Sequence, residues 1–224
     1  MTLEHLRSQF DEDLDELKKR LLTMGGMAEG MVADAMTALV TRDSELARGI
    51  RERDRRVDKM EMKVDRLAAR ILALRQPTAS DLRSVIAALK ISTDLERVGD
   101  IAVNIAERAM ELNEEPQLKP YIDLPRITEK VRAMLSRALQ CFVTGDVVEA
   151  REVLVSDQEV DDLNAQIFRE LLTYMLEDPK TVSRATRLIF VSKYLERVAD
   201  HATNVAEEVI YAVEGRDVRH GNVG

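Results

Sequence analysis

Apolar residues recur at alternating spacings of three and four along most of the chain. One such series runs from Leu188 through Leu195 to Ala212, and a second runs from Ala88 to Leu112. These spacings place apolar side chains on one face of an α-helix. All five prolines, at positions 77, 116, 120, 125 and 179, lie near the ends of such segments. The pattern predicts six helices, over residues 3–43, 44–75, 78–113, 126–144, 146–177 and 180–214.

The connections between the predicted helices are short, which favours antiparallel neighbours. The first helix would run for about forty residues, which is long for a helix in a globular protein. Gly25 and Gly26 lie near its middle. We therefore expect these two glycines to kink or interrupt the first helix.

Residues 95–107 and 195–207 carry the same motif. The segments read LERVGDIAVNIAE and LERVADHATNVAE, and they agree at nine of thirteen positions. Further upstream the shift becomes 103 residues, so that Asp54 aligns with Asp157 and Asp58 with Asp161. Polar residues are repeated as faithfully as apolar ones, which shared helical composition alone does not explain. We infer a duplicated three-helix unit, and hence an all-α protein of two tandem, pseudo-symmetric three-helix bundles over 1–115 and 126–215, with a linker at 116–125 and a tail at 216–224.

The composition supports a helical fold and disfavours several classes of function. Hydrophobic residues make up 45% of the 224 residues but aromatic residues only 4%, and 41 acidic against 33 basic residues give a net charge of −8. This charge disfavours broad contact with nucleic acid. The one cysteine cannot form an internal disulfide, and neither a secretory signal nor an apolar run of membrane-spanning length is evident. These features predict a cytoplasmic protein that meets a membrane only through its partners.

Each unit carries a row of oxygen-bearing side chains at helical spacing. On the third helix of the first unit, Glu96, Asp100 and Asn104 are four residues apart and therefore share one face. Their counterparts are Glu196, Asp200 and Asn204, and the second helices add the pairs Asp54 with Asp58 and Asp157 with Asp161. Like charges at this spacing weaken a helix unless a cation lies between them. Carboxylate and amide oxygens suit magnesium, calcium, manganese or ferric iron.

An ordinary solvated face explains the same spacing. With 41 acidic residues, several pairs at this spacing arise by accident. The row also lies about half a turn from the apolar positions Leu95, Val98 and Ala102, and Arg97 and Arg197 beside it offer simple charge partners. Spacing alone favours this solvated face over a metal site. Any metal site here is expected to be shallow and open.

Histidine and cysteine add little to the chemistry. His201 replaces Ile101 of the first unit and is a ligand, a phosphoacceptor or a surface residue, of which the surface residue is favoured. Cys141 aligns with Ala38 on an apolar face, so we expect a buried thiol. His5 and His220 lie near the termini. The chain contains neither a phosphate-binding glycine loop nor a plausible catalytic triad, so nothing in the sequence demands an enzyme.

The doubled Leu-Glu-Arg-Val-[Gly/Ala]-Asp motif, with Asn four residues after its Asp, resembles the PhoU family of bacterial phosphate-signalling proteins. The paired acidic helices and the ending from Val209 to His220 share this resemblance, which spans essentially the whole chain. It implies a non-enzymatic, cytoplasmic and commonly dimeric protein that represses the phosphate-starvation regulon and restrains phosphate uptake. It also implies two partners, the phosphate ABC transporter through its ATPase subunit and a PhoR-type sensor histidine kinase.

The same resemblance implies multinuclear metal clusters on the acidic helices, with iron as the expected metal and manganese, magnesium, calcium or zinc as alternatives. The implied ligands are Asp54, Asp58, Glu96, Asp100 and Asn104 in the first unit and Asp157, Asp161, Glu196, Asp200 and Asn204 in the second. Glu61 of the first unit becomes Asn164 in the second, so the two sites would differ in charge. Two rival functions stay open: an iron-handling or redox protein that uses the acidic rows, and a phosphotransfer module that uses His201.

Overall fold

The computed structural model describes residues 3–75 and 77–218, with side chains described from residue 9 onward. It confirms the all-α prediction. The helices are α1 (Leu3–Thr41), α2 (Ser44–Arg75), α3 (Ala79–Asn113), α4 (Asp123–Thr144), α5 (Val147–Glu177) and α6 (Val182–Glu214), with a 3₁₀ turn at Pro179–Thr181 before α6.

Local side-chain chemistry fixes several helix ends. The Asp43 carboxylate accepts hydrogen bonds from the backbone N–H groups of Glu45 and Leu46 at 3.0 and 2.9 Å, and its repeat counterpart Asp146 caps α5 in the same way. Gly145 ends α4 in the left-handed conformation, with φ of 73°. α4 begins at Asp123, three residues before the predicted start, because Pro125 lies in the first turn, where a missing N–H breaks no helical hydrogen bond.

α1 is one uninterrupted helix, so the predicted break at Gly25 and Gly26 is wrong. Gly25 serves packing instead. A Cβ atom at Gly25 would lie 2.1 Å from Cδ1 of Leu139, whereas a Cβ atom at Gly26 would have no heavy atom within 4 Å. The missing side chain of Gly25 therefore lets α1 approach α4 closely.

Four helices form the centre of the molecule. α3 packs against α6 in antiparallel fashion, as the pairs Asp94 with His201 and Lys90 with Glu208 show. α1 packs against α4, also antiparallel, and Arg132 of α4 contacts Glu29 of α1 at 3.1 Å. α2 packs against α1 and α3, and α5 packs against α4 and α6. The duplicated units thus meet through their first and third helices, and each unit's second helix lies on an outer edge.

The two units share one hydrophobic core. Apolar seam residues of the repeated motif, including Leu95, Val98, Leu195 and Val198, are fully buried in a single cluster that extends through both units. The seam faces of α3 and α6 are thus both covered by the other central helices. Within the described residues, no helix combines the length and the apolar composition that crossing a bilayer requires.

Replacing Gly25 with alanine should be less favourable than replacing Gly26 with alanine. Both changes add helix propensity of about 1 kcal/mol. Only Gly25→Ala forces Leu139 to move, and overpacking of this kind costs roughly 1–3 kcal/mol. Urea unfolding should therefore show Gly26→Ala to be more stable than the parent protein and Gly25→Ala to be less stable than Gly26→Ala. Equal stabilisation by both changes would show that the contact between α1 and α4 accommodates a Cβ atom at Gly25 without strain.

Candidate metal-binding faces

The antiparallel contact of α2 with α3 brings the first unit's acidic residues together. Asp54 and Asp58 of α2 lie opposite Asp100 and Glu96 of α3, close enough for the charges of Asp58 and Asp100 to contribute to the raised pKa values of Asp54 and Glu96. Beside them is a cavity of about 560 Å³, whose lining includes Asp54, Asp100 and Asn104. We call the surface formed by Asp54, Asp58, Glu96 and Asp100 the first acidic face.

Asp54 is the most perturbed residue of the first acidic face. Its Oδ1 atom is buried and has no hydrogen-bond partner among the described residues. A Cβ atom at Gly99 would lie 2.8 Å from this oxygen, so the glycine allows the carboxylate to approach the backbone of α3. Burial, followed by the charges of Asp58 and Asp100, raises the pKa of Asp54 from 3.8 to about 6. The charge of Arg51 lowers this pKa, but by less than burial and the neighbouring acids raise it.

Glu96 is less exposed than a residue on an ordinary solvated face. Only 21% of its side chain is exposed, and burial, followed by the charge of Asp100, raises its pKa. Arg97 contacts Glu96 at 3.4 Å and Asp100 at 3.2 Å, so it is the local charge partner that the sequence suggested. Arg97 beside Glu96 and Arg51 near Asp54 offset the negative charge only in part, since the pKa values of Glu96 and Asp54 are still raised.

The second unit repeats the arrangement between α5 and α6. Burial, followed by the charges of Asp161, Asp200 and Glu196, raises the pKa of Asp157 from 3.8 to about 6. Burial and the charge of Glu196 also raise the pKa of Asp200. We call the surface formed by Asp157, Asp161, Glu196 and Asp200 the second acidic face. In each unit the structure therefore brings together the four acidic residues that the sequence singled out.

The two acidic faces differ where the sequence differs. In the first, Glu61 accepts a hydrogen bond of 3.4 Å from Thr93, and burial and the charge of Asp65 raise its pKa. In the second, Asn164 takes the place of Glu61. Its amide donates to Glu196 and accepts from Ser192 at 2.6 Å. The substitution therefore replaces a repelling carboxylate with a hydrogen-bond donor.

The asparagines of the two units also take different roles. Asn104 lines the cavity of the first acidic face, whereas Asn204 donates a hydrogen bond of 3.1 Å to Asp94 of α3. Asp94 also lies 2.8 Å from Nδ1 of His201. This places the amide nitrogen of Asn204 at the junction of the two units, and the role of Asn204 as an assisting ligand stays a prediction.

The histidine and cysteine predictions have different outcomes. The surface position favoured for His201 is wrong, because only 17% of its side chain is exposed at the contact of α3 with α6. Cys141 is buried as predicted, and burial raises the pKa of its thiol. His220 and the side chain of His5 lie outside the described residues.

Sequence reasoning missed two contributors to the first acidic face. Arg51 of α2 pairs with Glu107 of α3 and thereby holds the two helices together next to the cavity. Gly99 permits the close approach of Asp54, and its only signal in the sequence was that the repeat has alanine at position 199. Arg197 of the second unit also lines the first cavity, so this cavity draws on both units.

The donor chemistry of both faces fits a hard cation. All eight acidic side chains offer carboxylate oxygens, and Asp54 presents a buried oxygen that no described donor satisfies. In the described part of the chain, no three His, Cys, Asp or Glu side chains are already arranged to hold a metal ion. The faces thus have suitable ligands but not a preformed coordination shell.

Known proteins resemble this chain over nearly its whole length. The PhoU domain model matches residues 21–109 and 124–209. A phosphate-specific transport system accessory protein PhoU homolog of Pseudomonas putida is 45% identical over 217 residues, covering 96% of this chain and 85% of that protein. The phosphate-specific transport system accessory protein PhoU of Escherichia coli K12 is 37% identical over 216 residues, covering 96% and 90%.

Solved structures agree with the fold. The crystal structure of PhoU from Pseudomonas aeruginosa matches with a TM-score of 0.88 and 43% identity, covering 92% of this chain and all of that chain. The phosphate transport system regulatory protein PhoU from Streptococcus pneumoniae matches with a TM-score of 0.87 and 29% identity, covering 93% and 99%. Both halves of the duplication match the domain model, and the chain belongs to the PhoU family.

Proposed function

We propose that this protein is a cytoplasmic, non-enzymatic adaptor that represses the phosphate-starvation regulon and restrains phosphate uptake. The observation that supports this proposal most directly is the match, over 96% of the chain, to accessory proteins of the phosphate-specific transport system. In this proposal the protein acts as a homodimer that binds the ATPase subunit of a phosphate ABC transporter and a PhoR-type sensor histidine kinase. Helices with long exposed faces suit such docking, which needs surface area and no active site.

We further propose that the two acidic faces bind metal ions. Asp54, Asp58, Glu96 and Asp100 would hold ions on the first face, with Asn104 beside them. Asp157, Asp161, Glu196 and Asp200 would do so on the second, where Asn204 is already engaged with Asp94. A bound cation would neutralise carboxylates whose pKa values are raised first by burial and then by the charges of neighbouring acids. Iron is the expected metal, with manganese, magnesium, calcium and zinc as alternatives.

The bound ions would have a structural role. Each acidic face joins an outer helix to a central one, α2 to α3 and α5 to α6. Cation binding would therefore tie each outer helix to the centre of the molecule and fix the surface that partners meet. Because Asn164 replaces Glu61, the second face has one carboxylate fewer, and we expect it to bind multivalent cations more weakly than the first.

The adaptor role predicts a physical complex and a regulatory phenotype. The purified protein should associate with the phosphate transporter in detergent or nanodiscs, and its deletion should switch on a starvation-gene reporter in phosphate-rich medium. Size-exclusion chromatography and reporter fluorescence measure the two effects. Absence of association, together with normal repression in the deletion strain, would refute the adaptor role.

Asp54→Asn should stabilise the metal-free protein at neutral pH. The pKa of Asp54 is about 6 in the folded protein, above the ordinary value of 3.8, so the folded state binds more protons between these pH values. The contribution of Asp54 to stability is therefore greatest below pH 3.8 and is lost as the pH rises through 6. Asparagine removes this loss, and the gain at pH 7 should be on the order of 1 kcal/mol, since solvent screens the half-exposed cluster. Urea unfolding of both proteins from pH 4 to pH 7 measures the difference.

The same variant tests metal binding, with Glu52→Gln as its control. Glu52 is an exposed residue of α2 that pairs only with Arg55 in the described structure. A cation at one hundred times its Kd stabilises a binding protein by about 2.7 kcal/mol. Manganese should therefore raise the melting temperature of the parent protein and of Glu52→Gln, and should raise that of Asp54→Asn much less. Equal manganese responses in all three proteins would rule out the first acidic face as the site.

His201→Ala distinguishes the adaptor from a phosphotransfer module. The Nδ1 atom of His201 is engaged with Asp94, so in the adaptor this residue links α3 to α6. The variant should lose some thermal stability and keep repression of the starvation reporter. Complete loss of repression by a variant that still folds would favour phosphotransfer.

Stoichiometric iron with oxidase turnover in the purified protein would instead favour a redox function.

A further inference from the structure

The two outer helices carry opposite net charges. α2 contains ten Arg and Lys residues and six Asp and Glu residues, for a net charge of +4. α5 contains two Arg residues and eight Asp and Glu residues, for a net charge of −6. The helices occupy equivalent places in the duplicated units and lie on the two outer edges. The overall charge of −8 therefore conceals one basic edge and one acidic edge.

The positive charge of α2 is concentrated on its outer face. Five exposed cationic side chains follow one another at spacings of three and four: Arg56, Lys59, Lys63, Arg66 and Arg70. We call them the basic stripe, which extends for about 21 Å at the rise of an α-helix. Lys59, Lys63 and Arg66 have no acidic residue three or four positions away in either direction. The stripe thus lacks the alternating charges that support an ordinary solvated helix.

Most of the basic stripe is also free of tertiary partners. The side chains of Arg56, Lys59 and Lys63 take part in no hydrogen bond or ion pair with described residues, and the carbonyl oxygen of Lys63 accepts a hydrogen bond from Arg20 at 2.9 Å. Arg66 donates only to the carbonyl oxygen of Met62, at 3.0 Å. Arg70 pairs with Asp13 of α1. The cationic groups of Arg56, Lys59, Lys63 and Arg66 therefore form no ion pair with the rest of the described structure.

The duplication provides an internal comparison. At the positions of α5 equivalent to Arg56, Lys59 and Lys63, the second unit has Glu159, Asp162 and Gln166. Both helices pack against the first and third helices of their own unit. Packing of an outer helix therefore does not require a basic outer face. Packing therefore does not explain the positive sign at Arg56, Lys59 and Lys63.

We propose that the basic stripe is a docking surface for a protein partner that presents a segment rich in Asp and Glu. Arg56 and Arg66 offer planar guanidinium groups, which recognise carboxylates through paired hydrogen bonds. Complementary charge of this kind speeds association and sets orientation. The candidate partners are the transporter and the kinase, so this docking role rests on the proposed function.

Two other occupants fit less well. A lipid surface would favour large apolar side chains that insert beside the cations. On α2 only Met62 and Leu74 are exposed large apolar residues in the described structure. A second copy could offer its acidic α5, but α2 and α5 lie on opposite edges, so this pairing would continue from copy to copy as an open chain. A different, acidic protein is therefore the occupant that the charges favour.

The test compares two triple variants with the same change in net charge. The stripe variant is Lys59→Gln, Lys63→Gln and Arg66→Gln. The matched control, Arg169→Gln, Lys180→Gln and Arg216→Gln, removes three exposed cations outside α2, and Arg169 is the repeat equivalent of Arg66. The side chains of all six residues are free of ion pairs within the described structure, so both variants should fold. Circular dichroism and thermal melting check this before binding is measured.

Binding of each variant to the purified transporter and to the cytosolic part of the kinase is measured by biolayer interferometry. The stripe variant should bind at least one of them about tenfold more weakly, mainly through slower association, and the control should bind like the parent protein. The difference should shrink from 0.1 to 1 M salt, as the screening length falls from about 10 to about 3 Å. Equal affinities of stripe variant and parent, or equal losses in both variants, would overturn the proposal.

Two further probes separate this inference from the proposed function. A fluorescently labelled poly-glutamate peptide tests the chemistry of the stripe without either partner, and the stripe variant alone should lose its binding. If the stripe variant loses peptide binding but the parent protein binds neither the transporter nor the kinase, the proposed function is refuted and the docking role of the stripe is still supported. Stripe-dependent binding to phosphatidylglycerol vesicles, without binding to the peptide or the partners, would assign the stripe to a membrane and overturn the proposal.

Discussion

The antiparallel contact of α3 with α6 is the interaction on which the rest of the molecule depends. It joins two copies of one unit through the same helix of each, so the seam residues Leu95 and Leu195 are buried in a common core. The contact is not purely apolar, because Asp94 binds both His201 and Asn204 across it, and the buried Glu208 pairs with Lys90. A buried carboxylate without its cation is strongly destabilising, so these pairs also fix the register of the two helices.

This central contact determines where each acidic face lies. Since the seams of α3 and α6 face the centre, their acidic rows turn toward α2 and α5. There they meet a second set of carboxylates, and burial and mutual repulsion raise the pKa values of Asp54 and Asp157 alike. A purely structural contact between helices would separate such charges or pair each with a cation. The duplication has kept four acids on each face instead, which makes the two acidic faces the natural candidates for function.

Helix number, helix order and the grouping of the acids could be predicted from the sequence, because they follow from periodicity and from the repeat. The exceptions have physical causes. Gly25 suggested a break, but close packing against Leu139 decided its role, and contact between distant helices leaves no local signal. His201 was misplaced because a single polar residue on a helix does not reveal its partner, here Asp94. The half-buried state of Glu96 was missed because its burial comes from α2, not from the periodicity of its own helix.

The two halves have diverged mainly at their edges, and the pattern of divergence separates structural from functional constraint. Positions that pack against neighbouring helices keep their character, as Val98 and Val198 show, and both are fully buried. Some positions on the outer faces of α2 and α5 have reversed sign, as Arg56 and Glu159 show, although each helix sits in the same place in its own unit. A fold that tolerates both signs at one position imposes no choice between them. The choice must then come from what each edge of the molecule meets, so a duplicated bundle can present two different surfaces while its core stays the same.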